Sequence, residues 1–163
     1  MLGESLLDPC GVEGGGTLSG MGLLPCRTTF LPEKRRTRAT AQALCQPFTG
    51  AGLEGYEIHM GSTDRGSAGP FCRLSDGTED GAFLGSVFGT YLHGLFDSGE
   101  LTDRLAAWLL ERKGIRGTGE RSETHRAYLD RQLDRLADVL RAHLDLPAVY
   151  RIMENWKKGG HVT

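Results

Sequence analysis

The sequence predicts an α/β domain, and three observations carry that reading. Between Gly22 and Phe96, short apolar and β-branched runs alternate with clusters of Gly, Asp, Thr and Pro, as strands alternate with turns. After Phe96 the apolar residues fall instead at helical spacing. Glycine supplies 24 of the 163 residues, roughly twice the usual share of about 7%. With only 6 prolines beside them, the composition is that of a loop-rich folded domain and not a disordered chain.

The elements follow in chain order. The first twenty or so residues read as turn material, because Asp8-Pro9-Cys10-Gly11 and the run Gly14-Gly15-Gly16 combine a turn-initiating carboxylate with residues free to take positive φ. Strands are expected at 22–31, 36–43, 53–60, 71–74 and 83–91, separated by turns such as Gln46 to Gly52 and Ser75 to Gly81. A first helix is expected after Phe96. Asp97 and Glu100 fit a capping box, Leu101, Leu105, Trp108 and Leu109 form its apolar face, and Lys113-Gly114 is its stop signal. Leu129, Leu133, Leu136, Leu140 and Leu144, spaced 4, 3, 4 and 4, predict a second helix packed through its leucines. Pro147 suits the first turn of a short third helix ending near Gly159. The expected division is 1–146 as one domain part and 147–163 as a C-terminal helix and tail.

The charge balance excludes some partners. A formal net charge of -2 argues against general nucleic-acid or anionic-membrane binding, since both need a basic excess. No run approaches the ~20 apolar residues of a spanning helix. The first ten residues also lack the basic start and apolar run of a secretory signal, so a cytoplasmic protein is expected. Cys10, Cys26, Cys45 and Cys72 form no C-x-x-C pair and read as reduced structural thiols. The run Lys34-Arg35-Arg36-Thr37-Arg38 is either a solvated strand face or a grip for carboxylates or phosphates.

Two strings could carry chemistry. In Gly55-Tyr56-Glu57-Ile58-His59-Met60-Gly61, strand alternation sends Tyr56, Ile58 and Met60 to one face and Glu57 and His59 to the other. A carboxylate and an imidazole so arranged can share a hydrogen bond or address one ligand, or be an ordinary solvated face. In Gly89-Thr90-Tyr91-Leu92-His93-Gly94-Leu95-Phe96, His93 falls where an apolar strand turns towards a helix, the edge at which open α/β sheets hold ligands. Histidine there suits a general base; the alternative is a buried ring satisfied by backbone. His59, His93 and a carboxylate lack metal-ligand spacing, so no metal is expected. No G-x-x-x-x-G-K-[ST] phosphate loop and no G-x-S-x-G or G-x-C-x-G nucleophile elbow occurs.

The order and spacing of DPCGVEGGG, GMGLLP, TTFLPEK, GYEIHMG and GTYLHGLF resemble the C-terminal part of the cobyric acid synthase family, over Leu2 to about Leu146. These are the glutamine-dependent amidating synthetases of cobalamin biosynthesis. The Met60-Gly61 ending favours them over cobyrinate a,c-diamide synthase. The resemblance implies a class I glutamine amidotransferase-like sheet with covering helices. It also implies glutamine hydrolysis through a cysteine thioester, with ammonia passed to an ATP- and Mg-using synthetase domain that amidates corrinoid carboxylates. It makes His93 the catalytic histidine. Where many class I amidotransferases carry an orienting glutamate two residues later, this chain has Leu95, which leaves Tyr56, Glu57 and His59 as candidates for substrate binding or ring orientation. The family's nucleophilic cysteine precedes the segment matching Met1-Leu2-Gly3, and Cys10 cannot replace it. The expectation is therefore an N-terminally incomplete domain, inactive and poorly soluble alone, with no cofactor of its own and dependent on a synthetase part. A non-catalytic remnant or binding partner of the same fold, or part of cobyrinate a,c-diamide synthase, are the alternatives.

Overall fold

The computed structural model describes residues 1–97, 99–117, 119 and 121–158, less the side chains of Arg35, Lys157 and Lys158. By their contacts these divide into two compact units, Met1–Thr124 and His125–Thr163. The 146/147 boundary expected from sequence falls inside the second unit, in the first turn of its second helix.

The first unit is a mixed α/β structure. Its strands are β1 (Ser5–Asp8), β2 (Gly16–Ser19), β3 (Arg27–Thr29), β4 (Arg35–Ala43), β5 (Gly52–His59), β6 (Ser62–Asp64), β7 (Cys72–Leu74), β8 (Glu79–Asp80), β9 (Ala82–Leu84), β10 (Val87–Gly89) and β11 (Leu92–His93), followed by helix α1 (Gly99–Arg112). They form a four-stranded sheet β2-β1-β3-β6, a β10-β9 hairpin and a five-stranded sheet β11-β5-β4-β7-β8. β1 and β3 run parallel; the other pairs are antiparallel.

Three segments depart from the sequence expectation. The strand expected over 22–31 is confined to β3, Arg27–Thr29. The opening residues are not turn alone: β1 and β2 pair as a hairpin, with Leu6 opposite Leu18. Asp8 organises the glycine-rich loop between them, its carboxylate accepting N–H bonds from Val12 (2.9 Å), Glu13 (2.7 Å) and Gly15 (2.8 Å). Such local side-chain to backbone bonds let a loop fold as a unit. The apolar run expected as one strand over 83–91 is instead split. Gly85 has φ of 60°, and Leu84 pairs with Val87, so Gly85-Ser86 is a two-residue hairpin turn of the kind glycine permits at its first central position.

The core lies between the five-stranded sheet and α1. Cys45, Phe48, Leu53, Phe71, Leu92 and Leu101 are buried there, and Trp108 of α1 meets Phe48 and Phe88 edge-on at 6.4 and 6.0 Å. Leu109, expected on this apolar face, is instead exposed. Glu100 does not close a capping box. It accepts the Gly52 N–H (2.9 Å) and an Arg104 N–H (2.7 Å), tying α1 to the start of β5. The N-terminal capping position of α1, residue 98, lies outside the described residues. The helix stops as expected at Gly114, φ 67°, with the Gly114 and Ile115 N–H groups returning to the Glu111 and Leu110 carbonyls, a Schellman ending.

The second unit is α2 (His125–His143) and α3 (Leu146–Lys158). Asp145 caps α3 by accepting the Ala148 N–H at 3.0 Å, with Pro147 in the first turn. The end expected near Gly159 lies outside the described residues. The leucines of α2, expected to be packed, are exposed: Leu133 retains 60% of its surface. No helix among the described residues is long and apolar enough to cross a membrane.

The Asp8 loop makes a pH prediction. Burial raises the Asp8 carboxyl, but the N–H groups of Glu13, Gly15 and Val12 outweigh it and hold it below its ordinary value of 3.8. A depressed folded pKa adds stability that is full above the unfolded value and is lost as pH falls through the folded one. Asp8→Asn is therefore expected to lower the urea midpoint at pH 7, and the gap from wild type should close towards pH 3. A gap unchanged across that range would contradict the account.

Candidate active site

The site is built on β5 and its neighbour β11. In an antiparallel pair, directly opposed residues share a face, and here His93 opposes Tyr56 while Leu92 opposes Glu57. On the other side of β5, Arg38 opposes Tyr56 and Thr37 opposes Glu57. The alternation read from sequence is thus realised across three strands, with Arg38, Tyr56 and His93 in one row and Glu57 and His59 turned to the opposite face.

The outward row is open to solvent. His93 is exposed and Tyr56 keeps 46% of its surface. Their rings stack almost parallel, centroids 5.5 Å apart and planes 8° from one another. Immediately after His93 the chain turns at Gly94, φ 82°, and the Asp97 N–H closes the turn on the Gly94 carbonyl at 2.9 Å. Leu95, two residues after the histidine, packs against the core.

The inward row forms a different environment. Glu57 is buried, and its Oε1 lies 2.7 Å from His59 Nε2. His59 Nδ1 is 3.0 Å from the Gly61 carbonyl, which can only accept, so Nδ1–H donates there and one proton is shared between Nε2 and the carboxyl group. The His59 ring stacks on Tyr91 at 4.6 Å, and the Tyr91, Thr63 and Thr28 hydroxyls form a separate hydrogen-bonded cluster. These groups border a cleft of about 460 Å³ that also touches Leu2 and Leu24. Of the four residues singled out from the two strings, the structure brings Tyr56 to His93; it sets Glu57 and His59 together, but on the other face of β5.

One positioning group escaped the sequence reading. Asp80 is buried and accepts hydrogen bonds from the Thr90 hydroxyl and the Tyr91 N–H, while Thr90 Oγ1 accepts the Leu92 N–H. It fixes the start of the segment that ends in His93. Its only sequence signal was membership of the Ser75 to Gly81 turn cluster, which does not separate a buried aspartate from a solvated one.

The thiols divide sharply. Burial raises the Cys26 and Cys45 thiols and pushes Cys72 up to about 12. All three are therefore held as thiols at neutral pH, the opposite of what a nucleophile requires. Cys10 is exposed in the Asp8 loop. Among the described residues, no group of three or more His, Cys, Asp and Glu side chains could hold a metal ion.

The approach of β11 to β5 depends on Gly55, where an added Cβ would lie 2.1 Å from the His93 carbonyl oxygen. Gly55→Ala is expected to cost about 1–3 kcal/mol in denaturant unfolding and to shift the amide signals of Leu92 and His93. Wild-type stability with those signals unmoved would refute the close approach.

Residues 1–101 match the family of CobB/CobQ-like glutamine amidotransferase domains. Proteins similar to the chain include the cobyric acid synthase of Ruminiclostridium cellulolyticum, 38% identical over 99% of this chain and 34% of that protein. The cobyric acid synthase of Rhodobacter capsulatus is 42% identical over 91% of this chain and 30% of its own length. That of Klebsiella pneumoniae is 40% identical over 94% and 32%. The chain thus spans about a third of the length of the curated relatives it matches. With the GYEIHMG and GTYLHGLF strands paired inside the matched region, the chain belongs to the CobB/CobQ-like glutamine amidotransferase domain family.

Proposed function

We propose that this chain is the histidine-bearing part of a glutamine amidotransferase that supplies ammonia for ATP-dependent amidation of corrinoid carboxylates in cobalamin biosynthesis. The reaction is the conversion of adenosylcobyrinic acid a,c-diamide to cobyric acid. The observation that carries the reading is His93, exposed at the end of β11 within the residues that match the amidotransferase family. The names of the relatives support the choice of pathway and acceptor.

On this reading the nucleophile is a thiol outside these 163 residues: burial keeps Cys26, Cys45 and Cys72 protonated, and Cys10 sits in the Asp8 turn and not in a nucleophile elbow. The His93 imidazole takes the proton of that thiol, and the thiolate attacks the side-chain amide carbon of glutamine. The proton then passes to the departing nitrogen as the C–N bond breaks, giving ammonia and a thioester. His93 next removes a proton from water, which attacks the thioester; glutamate leaves and the thiol is restored. ATP and magnesium act in a synthetase part, in keeping with the missing phosphate loop here.

The test joins this chain to the coding region upstream of it. His93→Ala is expected to lower glutamine-dependent turnover by about 10²-fold or more while leaving ammonia-dependent turnover intact. Undiminished glutamine use would overturn the role of His93, and equal loss with both nitrogen sources would point to a structural one.

A further inference from the structure

We propose that Tyr56 is the positioning residue for His93, its phenol ring holding the imidazole plane in place of the carboxylate that Leu95 does not supply. The inference rests on the functional reading of His93 and selects among the three neighbours that the sequence left open. Glu57 and His59 are engaged with one another on the far face of β5, so neither reaches the ring of His93. Leu95 is drawn into the core. Tyr56 is the direct cross-strand partner of His93, and the two rings lie 5.5 Å apart at 8°, inside the range of offset aromatic stacking.

The geometry accounts for what such a residue must do. β11 has two residues and lies at the edge of its sheet, with β5 as its only strand neighbour among the described residues, and the His93 side chain is exposed. A general base works when its nitrogen is held within hydrogen-bond reach of the proton it takes. The phenol face restricts rotation of the imidazole about its Cβ–Cγ bond, because turning the ring out of plane drives its edge into Tyr56. Stacking occupies the face of the imidazole and leaves its edge nitrogens clear of the phenol for thiol and substrate. The device needs the aromatic ring and not the hydroxyl. Tyr56 is itself half exposed, so replacing it leaves no buried cavity.

Two measurements test this. In the 163-residue chain with labelled histidines, the His93 ring protons should show an upfield ring-current shift that Tyr56→Phe retains and Tyr56→Leu abolishes, with the His59 signals unchanged. In the chain joined to its upstream region, Tyr56→Leu should lower kcat for glutamine by about ten- to a hundredfold, with KM and ammonia-dependent turnover unchanged, and Tyr56→Phe should restore it. Loss in Tyr56→Phe as large as in Tyr56→Leu, an effect confined to KM, or full activity in Tyr56→Leu would each overturn the proposal. His93→Ala run alongside separates the two claims: if it leaves glutamine use intact, the functional reading fails; if it abolishes glutamine use while Tyr56→Leu is silent, the positioning role alone fails.

Discussion

The register of β11 on β5 decides the chemistry available to this chain. Side chains alternate across a sheet with period two, so a slip of one residue would send His93 to the face of Glu57 and His59 and turn Leu92 out to solvent. Three features hold the observed register. Leu92 is buried in the core, Gly55 admits the His93 carbonyl closely, and the Asp80 carboxylate grips Thr90 and Tyr91 just upstream. The first is an apolar gain, the second a steric permission and the third a buried polar anchor whose loss would leave an unsatisfied group. All three agree, and together they fix a short edge strand that its own two residues could not fix.

That register separates two polar systems only one strand thick. On the inward side, Glu57 pairs with His59, whose ring stacks on Tyr91, and the Tyr91, Thr63 and Thr28 hydroxyls bond to one another beside the cleft lined by the two larger sheets. On the outward side, His93 and Tyr56 meet through their faces, with Arg38 next in the row. A carboxylate–imidazole pair is the arrangement usually sought beside a catalytic histidine. Here that pair exists, but it involves the other histidine.

The sequence made the strand pattern of β4 and β5, the helix stop at Gly114 and the two faces of the GYEIHMG strand legible, because each depends on local periodicity or a glycine at a needed φ. It hid features that depend on distant residues. The β1–β2 hairpin passed for a loop, since its glycines mask a pairing that the Asp8 carboxylate closes. The run to Tyr91 looked like one strand because nothing local marks Gly85 as a turn until Leu84 meets Val87. Glu100 fitted a capping box by spacing, yet Gly52, 48 residues away, offers its N–H in competition. The proximity of Tyr56 to His93 followed from neither motif alone; it appears only once the two strands are paired.

The proposed role of His93 puts the chemistry on one face of one small sheet. The most direct measurement of that claim is a glutamine titration of the chain joined to its upstream region, with histidine rings labelled for NMR and the nucleophilic thiol replaced to prevent turnover. The account predicts that the His93 ring signals move saturably with glutamine while those of His59 stay in place. Movement of His59 with His93 stationary would put the substrate in the inner cleft and contradict it.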